Sequence, residues 1–376
     1  MNIIITGGGS GGHVMPALAV IEELQNNQND FFKKINILYI GSKKGIEKKL
    51  IEKKGIRYKS INTGKLRRYF SIKNISDVFK TLSGIVQSVH IINKFGPNII
   101  FSTGGFVSVP VIIAGKIKKI PILIHEQTVD AGLANKIAGK FAQKIALTFP
   151  ESGKYFQKDK IVVTGIPIRK EIFQGTKDSG YKRFEFDSSL PTIFFTGGGL
   201  GCRILNEAAK VILPEILLKA NVIYQTGASL NGRDFLDMKI IRESLPDYLQ
   251  KRFYLTEFIN EEIADVFALT DLAIARSGAG TVNELLTMKI PAIFIPLAIA
   301  TNNEQLKNAL ISVNLGGAEI IEEKELNSAI LLDKIDNILF TEKIATMKKN
   351  LSKTNFHNGV TKVVGLIEDI LKNNIK

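Results

Sequence analysis

The chain has 376 residues, 45% hydrophobic and 23% charged, which is too long for one ordinary core, suits two α/β-sized domains and excludes disorder as the default. One cysteine, Cys202, excludes an internal disulfide framework and a Cys-based zinc site and fits a reducing cytosol. A net charge of +14 leaves nucleic acid or an anionic membrane surface as partners to weigh against a merely lysine-rich composition.

Met1 to Ile5 is too short for the apolar core of a signal peptide, and no run of about 18 uncharged apolar residues is present to span a bilayer. Asn2 to Thr6 predicts a buried strand, Gly7 to Gly12 a glycine loop, and His13 to Leu24 a helix with Pro16 allowed in its first turn. Strands follow at Ile35 to Ile40, Asn98 to Ser102, Pro121 to His125 and Lys144 to Thr148. Helical patterns lie between them around Gly45 to Lys54, Ile75 to Phe95, Val107 to Ile117 and Gly132 to Phe141. Lys160 to Thr164 is a further strand, Gly165 to Glu171 reads as a link stiffened by Pro167, and Gly175 to Leu190 as a polar exposed loop.

The opening pattern then recurs about 190 residues on, as the strand Thr192 to Thr196, the loop Gly197 to Gly201 and a helix from Arg203. More strands are expected at Asn221 to Gln225, Phe253 to Thr256, Leu272 to Ala275, Ala292 to Pro296 and Ala318 to Ile321, with an amphipathic helix from Thr361 to Leu371. Two such openings, each followed by βα units, imply an α/β protein of two doubly wound, Rossmann-like domains facing a central cleft.

The stretch Asp271 to Glu284 carries the most chemistry. Its strand turns through Ser277, Gly278 and Gly280 into a helix, and unpaired amides at a glycine-lined helix start make an anion site. Glu284 either caps that helix in a box with Thr281 or holds a ribose diol. Gly7, Gly9 and Gly12 also satisfy G-x-G-x-x-G, but the next strand ends Tyr39 to Lys43 with no acidic residue to hold a ribose, which weakens a nicotinamide oxidoreductase. A P-loop fails because His13 and Val14 stand where Lys and Ser/Thr are needed.

His13, at a helix start facing the expected cleft, is either a proton acceptor or a cap, and Glu126 at the carboxyl edge is either part of the site or a buried, satisfied carboxylate. No His or carboxylate cluster has metal-ligand spacing and no Asp-x-Asp pair is available, so helix amides with Arg169 or Arg276 are left to meet a diphosphate's charge. The basic stretch Lys65 to Phe70, with Lys73, Lys80, Ile85, Val86, Val89 and Ile92 beyond it, reads as a membrane-surface patch, and no RNA-binding aromatic motif supports nucleic acid.

Seven segments, taken together and in order, resemble glycosyltransferase family 28, the GT-B enzymes that convert lipid I to lipid II in bacterial peptidoglycan synthesis. They are Gly8 to His13, Gly104 to Pro110, His125 to Gln127, Gly165 to Arg169, Thr256 to Ile259, Arg276 to Glu284, and Gln305. The resemblance implies an acceptor and membrane-facing domain over residues 1–166, completed by a returning helix over 354–376, and a UDP-GlcNAc domain over 167–353. It implies that Ser10, Gly11 and Gly12 line the cleft and that Arg169 and the Ile259 backbone lie near uracil. Ser277, Ala279, Gly280, Thr281, Val282, Asn283 and Glu284 would surround diphosphate and ribose, with Gln305 on the sugar hydroxyls.

The sequence departs from the family at Thr128, usually Asn, at Phe106, usually Tyr, and at Gly199, usually Ser, where the resemblance implies a phosphate loop that loses a hydroxyl and keeps its amides. The reaction implied is an inverting, cofactor-free and metal-independent transfer, with His13 as base and Glu126 as its alternative. Its implied partners are UDP-GlcNAc, lipid I, the anionic cytoplasmic face of the inner membrane and other cell-wall synthesis enzymes. A UDP-GlcNAc 2-epimerase, which shares architecture and donor, or another GT-B glycosyltransferase stays as the alternative.

Overall fold

Ile3, Ile4 and Ile5 are all fully buried, which is why the first strand reads as a continuous apolar run instead of an alternating one: both faces of its sheet are covered. The computed structural model describes residues 1–376 except 28, 30, 31, 33, 65–72 and 376, so the basic stretch Lys65 to Phe70 lies outside the described residues. The chain divides into two units, Met1–Arg169 with His357–Lys376, and Lys170–Phe356.

Unit 1 is built on β1 (Asn2–Thr6), β2 (Asn36–Ser42), β3 (Tyr58–Ile61), β4 (Ile99–Ser102), β5 (Ile122–Glu126), β6 (Lys144–Leu147) and β7 (Ile161–Val163). They pair in parallel in the order β3-β2-β1-β4-β5-β6-β7. Its helices are α1 (Gly11–Asn26), α2 (Ile46–Lys53), α3 (Lys73–Phe95), α4 (Ser108–Ile117) and α5 (Leu133–Gly139). The edge strand β3 was not expected. Its Lys59 and Ser60 are exposed, so its sequence carries little of the apolar signal that marks the central strands.

Unit 2 repeats the plan with β8 (Thr192–Thr196), β9 (Asn221–Gln225), β10 (Phe253–Thr256), β11 (Thr270–Ala275), β12 (Ala292–Phe294) and β13 (Ala318–Ile320), ordered β10-β9-β8-β11-β12-β13. Its helices are α6 (Lys177–Phe184), α7 (Arg203–Lys219), α8 (Arg233–Ser244), α9 (Asp247–Gln250), α10 (Ile263–Leu269), α11 (Ala279–Thr287), α12 (Glu304–Asn314), α13 (Ser328–Leu339) and α14 (Lys343–Ser352). The segment Gly175 to Leu190, expected as a loop, carries α6. Thr176 and Ser179 cap it reciprocally, and buried Phe184 meets the Tyr254 ring edge-on at 4.7 Å. Exposed Lys177, Asp178, Lys182 and Arg183 masked that single apolar anchor.

The last helix, α15 (Val360–Ile375), packs through Val363, Ile367 and Leu371 into the core of unit 1 that α1 also lines. Asn358 fixes its approach, accepting the Ile168 amide at 2.9 Å and donating to the Ile168 carbonyl at 2.6 Å. No helix among the described residues is long and apolar enough to cross a membrane.

Candidate active site

In each unit the strand order reverses beside the first strand, β1 against β4 and β8 against β11. Loops leaving those carboxyl ends part there, opening the place where doubly wound folds take ligands. In unit 1 the loops after β1 and β4 touch. The Gly8 amide donates to the Gly104 carbonyl at 3.2 Å, and a Cβ on Gly105 would sit 2.1 Å from the Gly8 oxygen. Glycine is therefore required by contact as well as by the positive φ of Gly105.

Glu47 finishes this loop, and sequence reasoning missed it. Its buried carboxylate accepts the Gly9 amide at 3.3 Å and the Ser42 amide at 3.0 Å, and takes the Ser42 hydroxyl as well. One of the loop amides is thereby occupied by the protein's own anion. α1 starts at Gly11, two residues earlier than the sequence suggests, with Ser10 as an N-cap whose side chain makes no capping bond. Ser10 is exposed, Gly11 and Gly12 are half-buried in the first turn, and no acidic side chain neutralises it.

His13 follows, half-buried. Its Nδ1 lies 2.8 Å from the Thr103 carbonyl, which can only accept, so Nδ1 carries the hydrogen, and the Gln127 side-chain amide that closes on the same nitrogen must turn its oxygen, not its NH2, toward it. The neutral ring thus offers its lone pair at Nε2, which has no hydrogen-bond partner among the described residues. Burial pulls its pKa below the ordinary value, against the pull of the Thr103 carbonyl and the negative charges of Glu126 and Glu47. The ring is accordingly neutral, as a base must be.

Glu126, the alternative base, is corrected to an anchor. Its buried carboxylate accepts the Thr128 amide (3.0 Å) and hydroxyl (2.7 Å), the Gly132 amide (3.1 Å) and Asn135 Nδ2 (3.0 Å), so both oxygens are spent on holding the loop into α5. Thr128 belongs to that anchor. His125 is structural too: fully buried, its Nε2 lies 3.1 Å from the Gly165 carbonyl, and burial lowers its pKa to about 4. Phe106 packs over Gly9, and Val107 to Pro110 are buried. Arg169 ends unit 1, half-buried.

In unit 2, β11 runs through Arg276 and Ser277 into α11. Gly278 is its N-cap, without a side-chain cap and with no acidic residue in the first turn. That start places Thr281 and Glu284 inside the helix and half-buried, and removes the capping-box reading of the pair. Ala279 and Gly280 present the open turn, whereas the Val282 and Asn283 side chains are buried, Asn283 donating to the Ala279 carbonyl at 2.8 Å. The Val282 amide donates to the Gly278 carbonyl at 3.0 Å, so the open amides of the turn are those before it. Ser277 is fully buried and its carbonyl accepts Asn308 Nδ2 at 3.3 Å.

Arg276, expected to face a diphosphate, is instead paired with Glu323 and donates to the Ile295 carbonyl at 3.0 Å. Glu323 also accepts the Ala298 amide at 3.0 Å, and Gln305 Oε1 accepts the Leu297 amide at 3.0 Å, so both brace the loop after β12. Gly199 is exposed on the loop after β8 with open space where a Cβ would stand. The Ile259 amide, expected near a uracil, is taken by Gln225 Oε1 at 3.1 Å.

One trio of carboxylates among the described residues comes within reach of a shared ion, Glu207, Asp234 and Asp237, which sequence spacing did not reveal. Lys210 already bridges Glu207 and Asp237 at 2.9 Å each. Cys202 is buried, and burial pushes its thiol up, so it is no nucleophile.

The N-terminal domain of glycosyltransferase family 28 matches residues 3–147 and the C-terminal domain of that family residues 192–363. The chain is similar to a Clostridium novyi (strain NT) protein named UDP-N-acetylglucosamine--N-acetylmuramyl-(pentapeptide) pyrophosphoryl-undecaprenol N-acetylglucosamine transferase, 40% identical over 98% of this chain and 99% of the relative. Among solved structures it is similar to Acinetobacter baumannii MurG, with a TM-score of 0.74 at 25% identity over 98% of this chain and 99% of that one. A Neisseria meningitidis UDP-GlcNAc 2-epimerase bound to UDP-GlcNAc shares the fold alone, at TM-score 0.68 and 14% identity over 99% of this chain and 100% of that one.

Proposed function

The chain belongs to glycosyltransferase family 28, and we propose on that basis that it carries N-acetylglucosamine from UDP-GlcNAc to the C4 hydroxyl of the muramyl sugar of lipid I, yielding lipid II. Its two Rossmann-like units are those of a GT-B glycosyltransferase. Unit 2 holds the donor. The uncapped start of α11 supplies amides to the diphosphate, Glu284 takes the ribose diol, and Gln305, whose Oε1 is committed to Leu297, keeps its Nε2 for a sugar hydroxyl. With Arg276 tied to Glu323, the growing charge on the departing UDP falls to those amides and to Arg169.

Unit 1 takes the acceptor. The C4 hydroxyl attacks the anomeric carbon from the face opposite UDP. Its proton passes to His13 Nε2 as the new C–O bond forms, and the old bond's electron pair leaves with UDP, inverting the centre. The observation that carries the reading is His13: neutral, locked at Nδ1, open at Nε2 and next to an uncapped helix turn. The nicotinamide alternative loses its support, since Glu47 occupies an amide of the one loop that would cradle a dinucleotide.

An acceptor tied to a lipid calls for docking on the cytoplasmic membrane face. Val78, Phe79, Leu82 and Val86 support this: they share one face of α3, and each is more than half exposed. The whole reading is tested by UDP release from UDP-GlcNAc with and without a lipid I analogue. Release that needs the acceptor and yields the disaccharide lipid is expected. Release of UDP, or an epimer, from the donor alone would instead point to an epimerase.

A further inference from the structure

Gln225, at the end of β9, joins three segments of unit 2 that no covalent neighbour joins. Its Oε1 accepts the Ile259 amide at 3.1 Å and its Nε2 donates to Thr196 Oγ1 at 3.1 Å, while Thr196 Oγ1 also accepts the Gly198 amide at 3.0 Å. The amide can stand only one way round, because the Ile259 N–H needs an acceptor and Nε2 has none to give. The peptide between Phe258 and Ile259 is held from its other side as well, its carbonyl accepting Thr196's counterpart on β10, Thr256 Oγ1, at 3.0 Å.

The relay therefore runs from the glycine loop after β8, through Thr196 and Gln225, to the segment after β10. Under the donor reading of unit 2, on which this inference rests, those two ends flank a diphosphate and a nucleobase. A nucleoside diphosphate is flexible when free and spans one set distance between base and phosphates when bound, so a site that binds both gains affinity by keeping its own two ends preorganised at that spacing. We propose that Gln225 is a positioning residue that sets this spacing, with Thr196 as its anchor, and so controls affinity for the uridine diphosphate moiety without touching the reacting atoms.

The test is titration calorimetry with UDP, paired with steady-state kinetics, on the full chain and on Gln225→Leu, Gln225→Glu, Thr196→Val, Thr196→Ser and the Leu/Val double variant. Gln225→Leu and Thr196→Val should each weaken UDP binding and raise KM for UDP-GlcNAc about fivefold to tenfold, with kcat within about twofold. Thr196→Ser, which keeps the hydroxyl, should bind as the parent does. The double variant should be no weaker than the worse single one, because both cut the same relay. Gln225→Glu keeps an acceptor toward Ile259 and can take the hydrogen of the Thr196 hydroxyl, so it should bind more tightly than Gln225→Leu, and Thr196→Val carries the test if the leucine variant does not fold. Unchanged UDP affinity in Gln225→Leu, or losses that multiply in the double variant, would overturn the proposal. A parent chain that binds no UDP would instead bring down the donor reading itself.

Discussion

His13 and Thr103 grip each other in both directions: His13 Nδ1 donates to the Thr103 carbonyl at 2.8 Å, and Thr103 Oγ1 donates back to the His13 carbonyl at 2.7 Å. The first bond fixes the tautomer and the second fixes the backbone that carries the ring. His13→Ala should lower kcat by roughly 100-fold or more with KM for UDP-GlcNAc little changed. Thr103→Val keeps the carbonyl and loses only the return bond, so a drop of about tenfold or less is expected. A parent-like rate in His13→Ala would remove it from the mechanism.

The pH dependence follows from the same ring. A base works when neutral, and burial holds His13 below the ordinary histidine value of about 6.5, so kcat/KM should climb with pH and pass its midpoint below about pH 6.5. The acid limb should disappear in His13→Ala. Rates measured from about pH 4.5 to 8 check this, and a midpoint above about pH 7 would mean that another group carries the proton.

Central strands such as β1 and β11 were legible because burial on both faces leaves an unbroken apolar run, and the glycine loops were legible because a strand-to-helix turn beside another backbone admits little else. Partnerships across the fold were not. His13 meets Thr103 and Gln127 at separations of 90 and 114 residues, and nothing local in the sequence marks either partner. Glu126 and Arg276 misled for one reason: a charged side chain at a carboxyl edge looks the same whether it faces a ligand or Thr128 and Glu323. Helix α6 and strand β3 were hidden by polar sequence around a few buried contacts.

The commitment of Arg276 to Glu323 has its own test. Both side chains are mostly buried, so removing either leaves a partly buried charge unpaired and frees the loop at Ala298. Arg276→Ala and Glu323→Ala should each destabilise the chain by about 2–4 kcal/mol, and the double variant by much less than their sum. Both should weaken UDP binding to a similar degree, since both act through the loop. A large loss confined to Arg276→Ala in calorimetry would restore it as a direct phosphate ligand.

Gly199→Ser should be accepted without strain. The position is exposed, its φ lies outside the left-handed region, and a Cβ there meets nothing within 4 Å. Its melting midpoint should match the parent's. The new hydroxyl adds a donor to the loop after β8, and UDP affinity should rise by about twofold to tenfold in calorimetry. Weaker binding would show that the diphosphate does not approach this loop.

The apolar face of α3 gives the last expectation. Val78, Phe79, Leu82 and Val86 stand one, three and four residues apart in turn, so they form a single stripe, and a stripe of that size in water is costly unless something covers it. Burying one such side chain in lipid is worth about 1.5–3 kcal/mol. Replacing Phe79 and Val86 with serine should therefore cut partitioning onto vesicles by more than about tenfold. Neither side chain belongs to the core, so the unfolding midpoint should stay put. Because the chain carries a net +14, binding should also strengthen with anionic lipid content and fall as salt rises. Parent-like flotation of the double variant with anionic vesicles would mean that α3 is not what meets the membrane.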